Sequence, residues 1–258
     1  MKRVLVTGAT GQLGKSIQDW AADFPRLQFR FEDRAGMDIT NGSQVNFVFS
    51  EFKPDFCINC AAYTKVDQAE LTPDPAYAVN VEGVKNLVQA SVKNEACLIH
   101  ISTDYVFDGA KEEGYYPKDQ PNPINVYGLT KWKGEEEIRM NMHKYFIIRT
   151  SWLYSKNYPP NFYLTILSKA KQGENLSVTD AERGCPTDAS NLAKHILTLI
   201  DSGNTSFGIS HFTDGQVMSW HGFAVQILEE HEILQTTKLE KGQKSRSFAR
   251  RPDNSILL

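Results

Sequence analysis

Short apolar runs and longer amphipathic stretches alternate through the first 150 residues. RVLVT (3–7), LQFRF (27–31), DFCIN (55–59), CLIHIS (97–102) and YFIIR (145–149) are short, β-branched or aromatic, and predict strands. Several are apolar almost throughout, the pattern of strands covered on both faces of a parallel sheet. Between them, QLGKSIQDWAA, GSQVNFVFSEF, PAYAVNVEGVKNLVQASVK and VYGLTKWKGEEEIRMN have helical length and spacing. Strand–helix alternation of this kind predicts right-handed crossovers and an α/β, Rossmann-type doubly wound parallel sheet.

The rhythm changes after residue 150. The aromatic, proline-rich LYSKNYPPNFY reads as a loop leading into a helix near 161–172. Asp188 reads as the N-cap of a helix near 188–200, with Leu192, Ile196, Leu197 and Ile200 on one stripe, and Ser219 stands likewise before WHGFAVQILEEH. The expected organisation is a dinucleotide-binding domain at 1–150 and a smaller, mainly substrate-binding region at 151–258. The two are partly interleaved, because the helix near 188–200 is expected to pack on the first domain's sheet.

Composition narrows the function classes. The 258 residues carry 28 basic and 31 acidic side chains, a net charge of −3, so there is no global basic field for nucleic acid. Residues 238–251 form a local exception with six basic residues and one acid, which reads as a solvated segment or a weak lure for a phosphorylated ligand. No stretch approaches the roughly 20 apolar residues of a membrane span, and the N-terminus lacks a signal-peptide core. Four cysteines are no disulfide framework, which points to the cytoplasm; Cys57 and Cys60 read as strand packing rather than a redox pair.

Candidate chemistry begins at TGATGQLG (7–14), where Gly8, Gly11 and Gly14 follow the first strand and open a helix. Such a turn lets a diphosphate approach a helix N-terminus. Near the end of the second strand stand Glu32, Asp33 and Arg34; an acid there would accept ribose hydroxyls, as in NAD binding, and an arginine would meet the extra phosphate of NADP. Both are offered, so the choice stays open. Asp38 and Ile39 follow as candidate adenine contacts. Tyr127 and Lys131 are four apart on one predicted helix face, where an ammonium about 4 Å away at an effective dielectric of ~20 would depress a phenol by about three pH units. Thr103, at the carboxyl end of the fourth strand, can hold a carbonyl; Asp104 and Tyr105 after it can meet sugar hydroxyls.

With VTGATGQLG, DIT, NCAAYTKVDQAE, AVNVEGVKNL, STDYVFDG, YGLTKWKGE, RTSWLY and RRPDNS in this order, the chain resembles the extended short-chain dehydrogenase/reductase superfamily. Within it, the chain is similar to the dTDP-4-dehydrorhamnose reductase family. The resemblance implies NAD(P)H-dependent reduction of the C4 ketone of a nucleotide-linked 4-keto-6-deoxysugar, with NADPH as cofactor and NADH as a second candidate. It implies that Tyr127 donates the proton, that Lys131 anchors the nicotinamide ribose, and that Thr103 orients the carbonyl. Gly8, Thr10, Gly11, Gln12, Leu13, Gly14, Ala61, Ala62 and Tyr63 would line the cofactor, Asn80 would support the site, and Trp152 would pack on the deoxysugar or its nucleotide. Two features depart from the family: VTDAERGCPT stands where D-Q-x-G-x-P-T is common, and relatives continue beyond RRPDNSILL into a terminal helix, so a truncated C-terminus stays open. Some relatives form a magnesium-linked dimer; those acids do not map here, so no metal is expected and a homodimer stays open. Competing readings are another sugar-nucleotide reductase or epimerase, and a non-catalytic subunit resembling the methionine adenosyltransferase beta subunit.

Overall fold

The computed structural model describes residues 1–243 and 247–258. Its centre is a six-stranded parallel sheet of β1 (Lys2–Thr7), β2 (Leu27–Glu32), β3 (Phe56–Asn59), β4 (Cys97–Thr103), β5 (Tyr145–Thr150) and β6 (Gly208–His211). The order is β6-β5-β4-β3-β1-β2 and every adjacent pair is parallel. The five strands predicted before residue 150 are present. β6 is an addition from far along the chain, four half-buried residues pairing beside β5.

Alternation of side chains along each strand feeds two cores. Leu5, Cys57, Leu98 and Ile147 face one side, where helices α2 (Gly42–Phe52), α3 (Val84–Lys93) and α4 (Val126–Asn141) cover them. Val4, Val6, Ile58, Ile99, Phe146 and Ile148 face the other, against α1 (Gln12–Trp20). The second cover on that side is α6 (Ala189–Asp201), whose Leu192, Ile196, Leu197 and Ile200 are wholly buried. Asp188 caps it by accepting from the Ser190 N–H at 2.9 Å. Thus a helix from the C-terminal part closes the first sheet.

A third core lies between α5 (Phe162–Lys171) and α7 (Trp220–Glu230), built on Tyr163, Ile166, Phe223 and Ile227. The strand Leu176–Thr179 pairs in parallel with Leu239–Gly242 beside it. Of the basic run at 238–251, Lys244 and Arg246 lie outside the described residues. Lys241 pairs with Asp180 at 2.6 Å, Arg251 with Asp67 at 3.0 Å, and Lys238 with Glu240 at 3.1 Å, so much of that charge is matched locally. Cys57 is packed in the sheet and the thiols of Cys57 and Cys60 are pushed up by burial, as core cysteines are. Among the described residues no helix is long and apolar enough to cross a membrane, and no cluster of metal-binding side chains occurs.

Candidate active site

From β1 the chain crosses to β2 on one side, and from β3 it proceeds through β4 to β5 on the other, so the topology reverses between β1 and β3. Open α/β sheets bind ligands at the carboxyl ends of strands flanking such a switch. Gly8 stands there at φ +63°, and a Cβ on it would lie 2.7 Å from the Ala61 nitrogen. A Cβ on Gly14 would lie 2.7 Å from the Ala9 Cα, so α1 reaches the turn only because neither residue has a side chain. Gly11, the N-cap of α1, supplies no side-chain cap, which leaves the first-turn N–H groups facing the crevice mouth. The cradle therefore suits a diphosphate. Thr10 and Gly11 are exposed, and Gln12 accepts from Asn161 at 2.9 Å, joining the loop to the cap of α5. Leu13 corrects the expectation in part: its side chain is in the core, so only its backbone faces the loop.

At the end of β2, Asp33 Oδ1 accepts from the Ala35 and Gly36 N–H groups, both at 2.9 Å, and so builds the turn. Arg34 donates to Asp38 at 3.0 Å while its side chain stays 85% exposed. Burial opposes ionisation of Asp38, but hydrogen bonds from Thr40 and Arg34 outweigh it and hold the carboxyl below its ordinary range. Asp38 thereby organises the turn, and Ile39 behind it is buried in the core.

The loop after β3 is clamped by Asn80, which is 1% exposed and sits in a π-helical turn, Ala78–Gly83. Asn80 accepts from the Tyr63 N–H at 2.9 Å and donates to the Tyr63 carbonyl at 3.1 Å and to Thr130 at 3.1 Å. Ala61, Ala62 and Tyr63 are thus held half-exposed along the crevice wall.

Thr103 ends β4. Its hydroxyl accepts from the Tyr105 N–H at 3.1 Å and donates to Asp104 at 2.9 Å. Asp104, expected to meet sugar hydroxyls, is only 3% exposed, and its carboxylate accepts from Thr103, from Ser151 at 3.0 Å and from Ser255. Burial drives its pKa up to about 6 against the pull of those hydroxyls. Its position is structural, behind Thr103. Tyr105 stands edge-on to Tyr127 with ring centres 5.7 Å apart.

Tyr127 and Lys131 lie one turn apart on α4, which Asn125 caps through the Gly128 N–H at 2.7 Å. Gly128 and Gly134 let the helix press on its neighbours: side chains there would strike the Tyr105 carbonyl and the Asn80 carbonyl. Next on the same face, Glu135 forms a buried two-point pair with Arg149 of β5, at 2.9 and 2.6 Å. The expected depression of the Tyr127 phenol is not found. Desolvation pushes it up to about 12, with the Thr103 hydroxyl pulling the other way. The reason is geometric, since the Lys131 Nζ is turned to β4, donating to the Ile101 carbonyl at 2.6 Å and standing 3.2 Å from His100 Nε2. Burial lowers Lys131 to about 8, although Glu135 works to raise it.

Trp152, at φ +48°, stacks on Trp220 with ring centres 3.6 Å apart, and Gly184 leaves room beneath it. Trp220 donates to Glu182 at 3.1 Å. Glu182 is 6% exposed and comes from the segment that departs from the family pattern. The tail wraps back over this wall: Asn125 donates to the Arg250 carbonyl at 2.8 Å, and the Ser255 N–H donates to the Arg183 carbonyl at 2.8 Å.

Three neighbours of the site are not among the expected site residues: His100, on the fourth strand, Glu182, in the segment that departs from the family pattern, and Arg251, in the basic run at 238–251.

Comparison with known proteins agrees with this geometry. A family model described as the RmlD substrate binding domain matches residues 1–258. The chain is similar to a dTDP-4-dehydrorhamnose reductase of Aggregatibacter actinomycetemcomitans, 38% identical over 100% of this chain and 90% of the relative. It is also similar to the spore coat polysaccharide biosynthesis protein SpsK of Bacillus subtilis, 36% identical over 100% and 89%. A crystal structure of dTDP-4-dehydrorhamnose reductase from Bacillus anthracis, in complex with NADP, superposes with a TM-score of 0.95 at 40% identity, covering 100% of this chain and 91% of that one. A mostly parallel Rossmann-like sheet, the one-turn spacing of Tyr127 and Lys131 on one helix and similarity along the whole chain coincide, and the chain belongs to the dTDP-4-dehydrorhamnose reductase family of oxidoreductases.

Proposed function

We propose that this protein reduces the C4 ketone of dTDP-4-dehydro-L-rhamnose to dTDP-L-rhamnose with NADPH, Tyr127 giving the proton. The observation that carries the reading is the convergence of Thr103, Tyr127 and Lys131 at the carboxyl end of β4, beside a glycine cradle at the sheet's switch point. The similar Bacillus anthracis enzyme was crystallised with NADP. Here the first-turn N–H groups of α1 would hold the diphosphate, the exposed Arg34 would meet the 2′-phosphate, and Ala61, Ala62 and Tyr63 would line the nicotinamide side. When bound, the cofactor supplies hydride to C4.

The remaining chemistry belongs to the chain. Tyr127 keeps its proton at neutral pH, the form a reduction needs, and an alkoxide is a far stronger base than a phenolate. The Thr103 hydroxyl acts on Tyr127 in the resting site; its donation to the carbonyl requires its proton to turn from Asp104. Lys131, whose ammonium faces the Ile101 carbonyl and His100, would stabilise the phenolate left behind once its stem turns toward Tyr127. Trp152 and Trp220 form an apolar wall suited to the deoxysugar or its base.

NADPH consumption by the purified protein with enzymatically prepared dTDP-4-dehydro-L-rhamnose tests the reading, with NADH run in parallel. Substrate-dependent consumption that disappears in Tyr127→Phe, with NADPH binding retained, is the expected result. Near-normal turnover in that variant removes Tyr127 from the mechanism. Binding without turnover in the native chain points to another nucleotide sugar or a non-catalytic role.

A further inference from the structure

A chain of buried polar groups runs behind the candidate site without entering the reaction above. Asn59, at the end of β3, is 1% exposed and His100, on β4, is 0% exposed. Asn59 Oδ1 accepts from the Ala61 N–H at 3.2 Å and from Thr7 Oγ1 at 2.7 Å. A backbone N–H can only donate, so this contact places the amide oxygen on that side. The amide nitrogen then faces His100 Nδ1 at 3.1 Å, and His100 Nε2 faces Lys131 Nζ at 3.2 Å.

These contacts admit two self-consistent arrangements. In the first, Asn59 donates to Nδ1, the neutral ring carries its hydrogen on Nε2, and that N–H points at Lys131. Lys131 must then offer a lone pair, which only the neutral amine has. In the second, an ammonium on Lys131 donates to a bare Nε2 and the ring hydrogen moves to Nδ1. Asn59 must then turn its oxygen to the ring, and the Ala61 N–H is left with Thr7 Oγ1 at 3.3 Å. Gaining one proton at Lys131 thus exchanges the ring tautomer, reverses one amide and changes the partner of a backbone N–H in the crevice wall.

We propose that His100 is a positioning residue that couples the protonation of Lys131 to the loop after β3 by exchanging its ring tautomer. The other groups facing Lys131 are Glu135 one turn on, which favours the ammonium, and the Cys60 thiol from the loop after β3. Tyr127 stands one turn before it on the same helix. His100 itself stays neutral, because burial and the Lys131 charge both hold its pKa well below the ordinary range. The Lys131 ammonium is lost near pH 8, which brings the exchange within reach of solution measurement. The use of Lys131 in catalysis rests on the reductase reading; the coupling is a property of the resting fold.

The test is long-range 1H–15N correlation NMR of the whole chain labelled at histidine nitrogen, followed from pH 6 to 10. The expected result is the Nδ1–H tautomer at low pH giving way to Nε2–H with a midpoint near 8, and an Ala61 amide shift moving with the same midpoint. Lys131→Met should hold one tautomer and a still Ala61 resonance throughout. A single tautomer across the range in the native chain overturns the proposal, and so does an exchange that persists in Lys131→Met. No variant at His100 is needed for that result. As a second readout, His100→Asn keeps a partner for Asn59 but not for Lys131. It should move the midpoint of the pH profile of NADPH consumption by about one unit, the worth of one hydrogen bond. A lower rate with an unmoved midpoint would reduce His100 to packing. Absence of NADPH consumption in the native chain would sink the reductase reading and leave the tautomer result standing.

Discussion

Gly128→Ala is the sharpest test of how the candidate site is built. A methyl at Gly128 would lie 2.9 Å from the carbonyl carbon of Tyr105 and nearer still to its oxygen, against the 3.4 Å or more of ordinary contact. The obstacle is backbone, so no side chain can swing aside. On the loop side, Tyr105 is fixed by the Thr103 hydroxyl and by the Asn122 N–H bonding to Val106 at 2.8 Å. On the helix side, α4 is fixed by the Asn125 cap, by Gly134 against Asn80 and by the Glu135–Arg149 pair. Helix and loop must therefore part by on the order of 1 Å, carrying Tyr127 away from Thr103. Displacement of that size costs roughly 100-fold in rate when the reacting groups are already aligned, and overpacking of this kind costs about 1–3 kcal/mol of stability.

The assay is kcat/KM for NADPH oxidation with the nucleotide ketosugar, beside a urea midpoint and NADPH binding followed by fluorescence. The expected result is a loss of about 100-fold in kcat/KM, a lower urea midpoint, and cofactor affinity changed far less, since the proposed diphosphate cradle is on α1. A variant within threefold of the native rate and equally stable would show that α4 and the Tyr105 loop are not rigidly opposed, and would refute the reasoning.

Two other outcomes follow from buried charges. Glu135→Ala strands the Arg149 guanidinium, which is 1% exposed, and should lower stability by about 3–5 kcal/mol; the double change Glu135→Leu with Arg149→Met should recover most of that in urea unfolding. Asp104 has its folded pKa raised from 3.8 to about 6, so its stabilising contribution is present below pH 3.8 and lost as pH rises through 6. Asp104→Asn should therefore be more stable than the native chain at pH 7–8, by about 1–3 kcal/mol, with the advantage fading toward pH 4; an advantage that stays constant with pH would contradict the burial argument.

Much of the frame was legible because it depends on local pattern. α4 was bounded at 126–141 by its amphipathic spacing after a turn rich in proline, and the structure gives the same bounds. The caps Asp188 and Ser219 were legible for the same reason: short polar side chains before an apolar stripe. β6 was not, since GISH is four residues long, carries two polar side chains and pairs only at the sheet edge, so no periodicity marks it. The site divides similarly. Spacing put Tyr127 and Lys131 on one face, but spacing says nothing of where a flexible four-carbon stem points, and Lys131 turns to Ile101 and His100. Asp104 reads as a sugar ligand because it follows a strand end; the folded chain encloses its carboxylate through Thr103, Ser151 and, from the tail, Ser255.

Several of these features oppose stability, and together they explain the rest of the architecture. Lys131 is depressed to about 8 and Asp104 raised to about 6, so each resists its charged form, and at neutral pH the fold bears both. A site under that load would relax by admitting water or tilting α4 unless its walls were stiff. The walls are stiff at the points where relaxation would begin. Asn80 holds both backbone groups of Tyr63, Glu135 and Arg149 tie α4 to β5, and the tail from Arg250 to Ser255 seals Asn125 and Asp104 from outside. Side-chain geometry at a reacting centre must hold to a fraction of an ångström. Here that precision comes from segments far apart in sequence, and so the C-terminal tail belongs to the site as much as the helix that carries Tyr127.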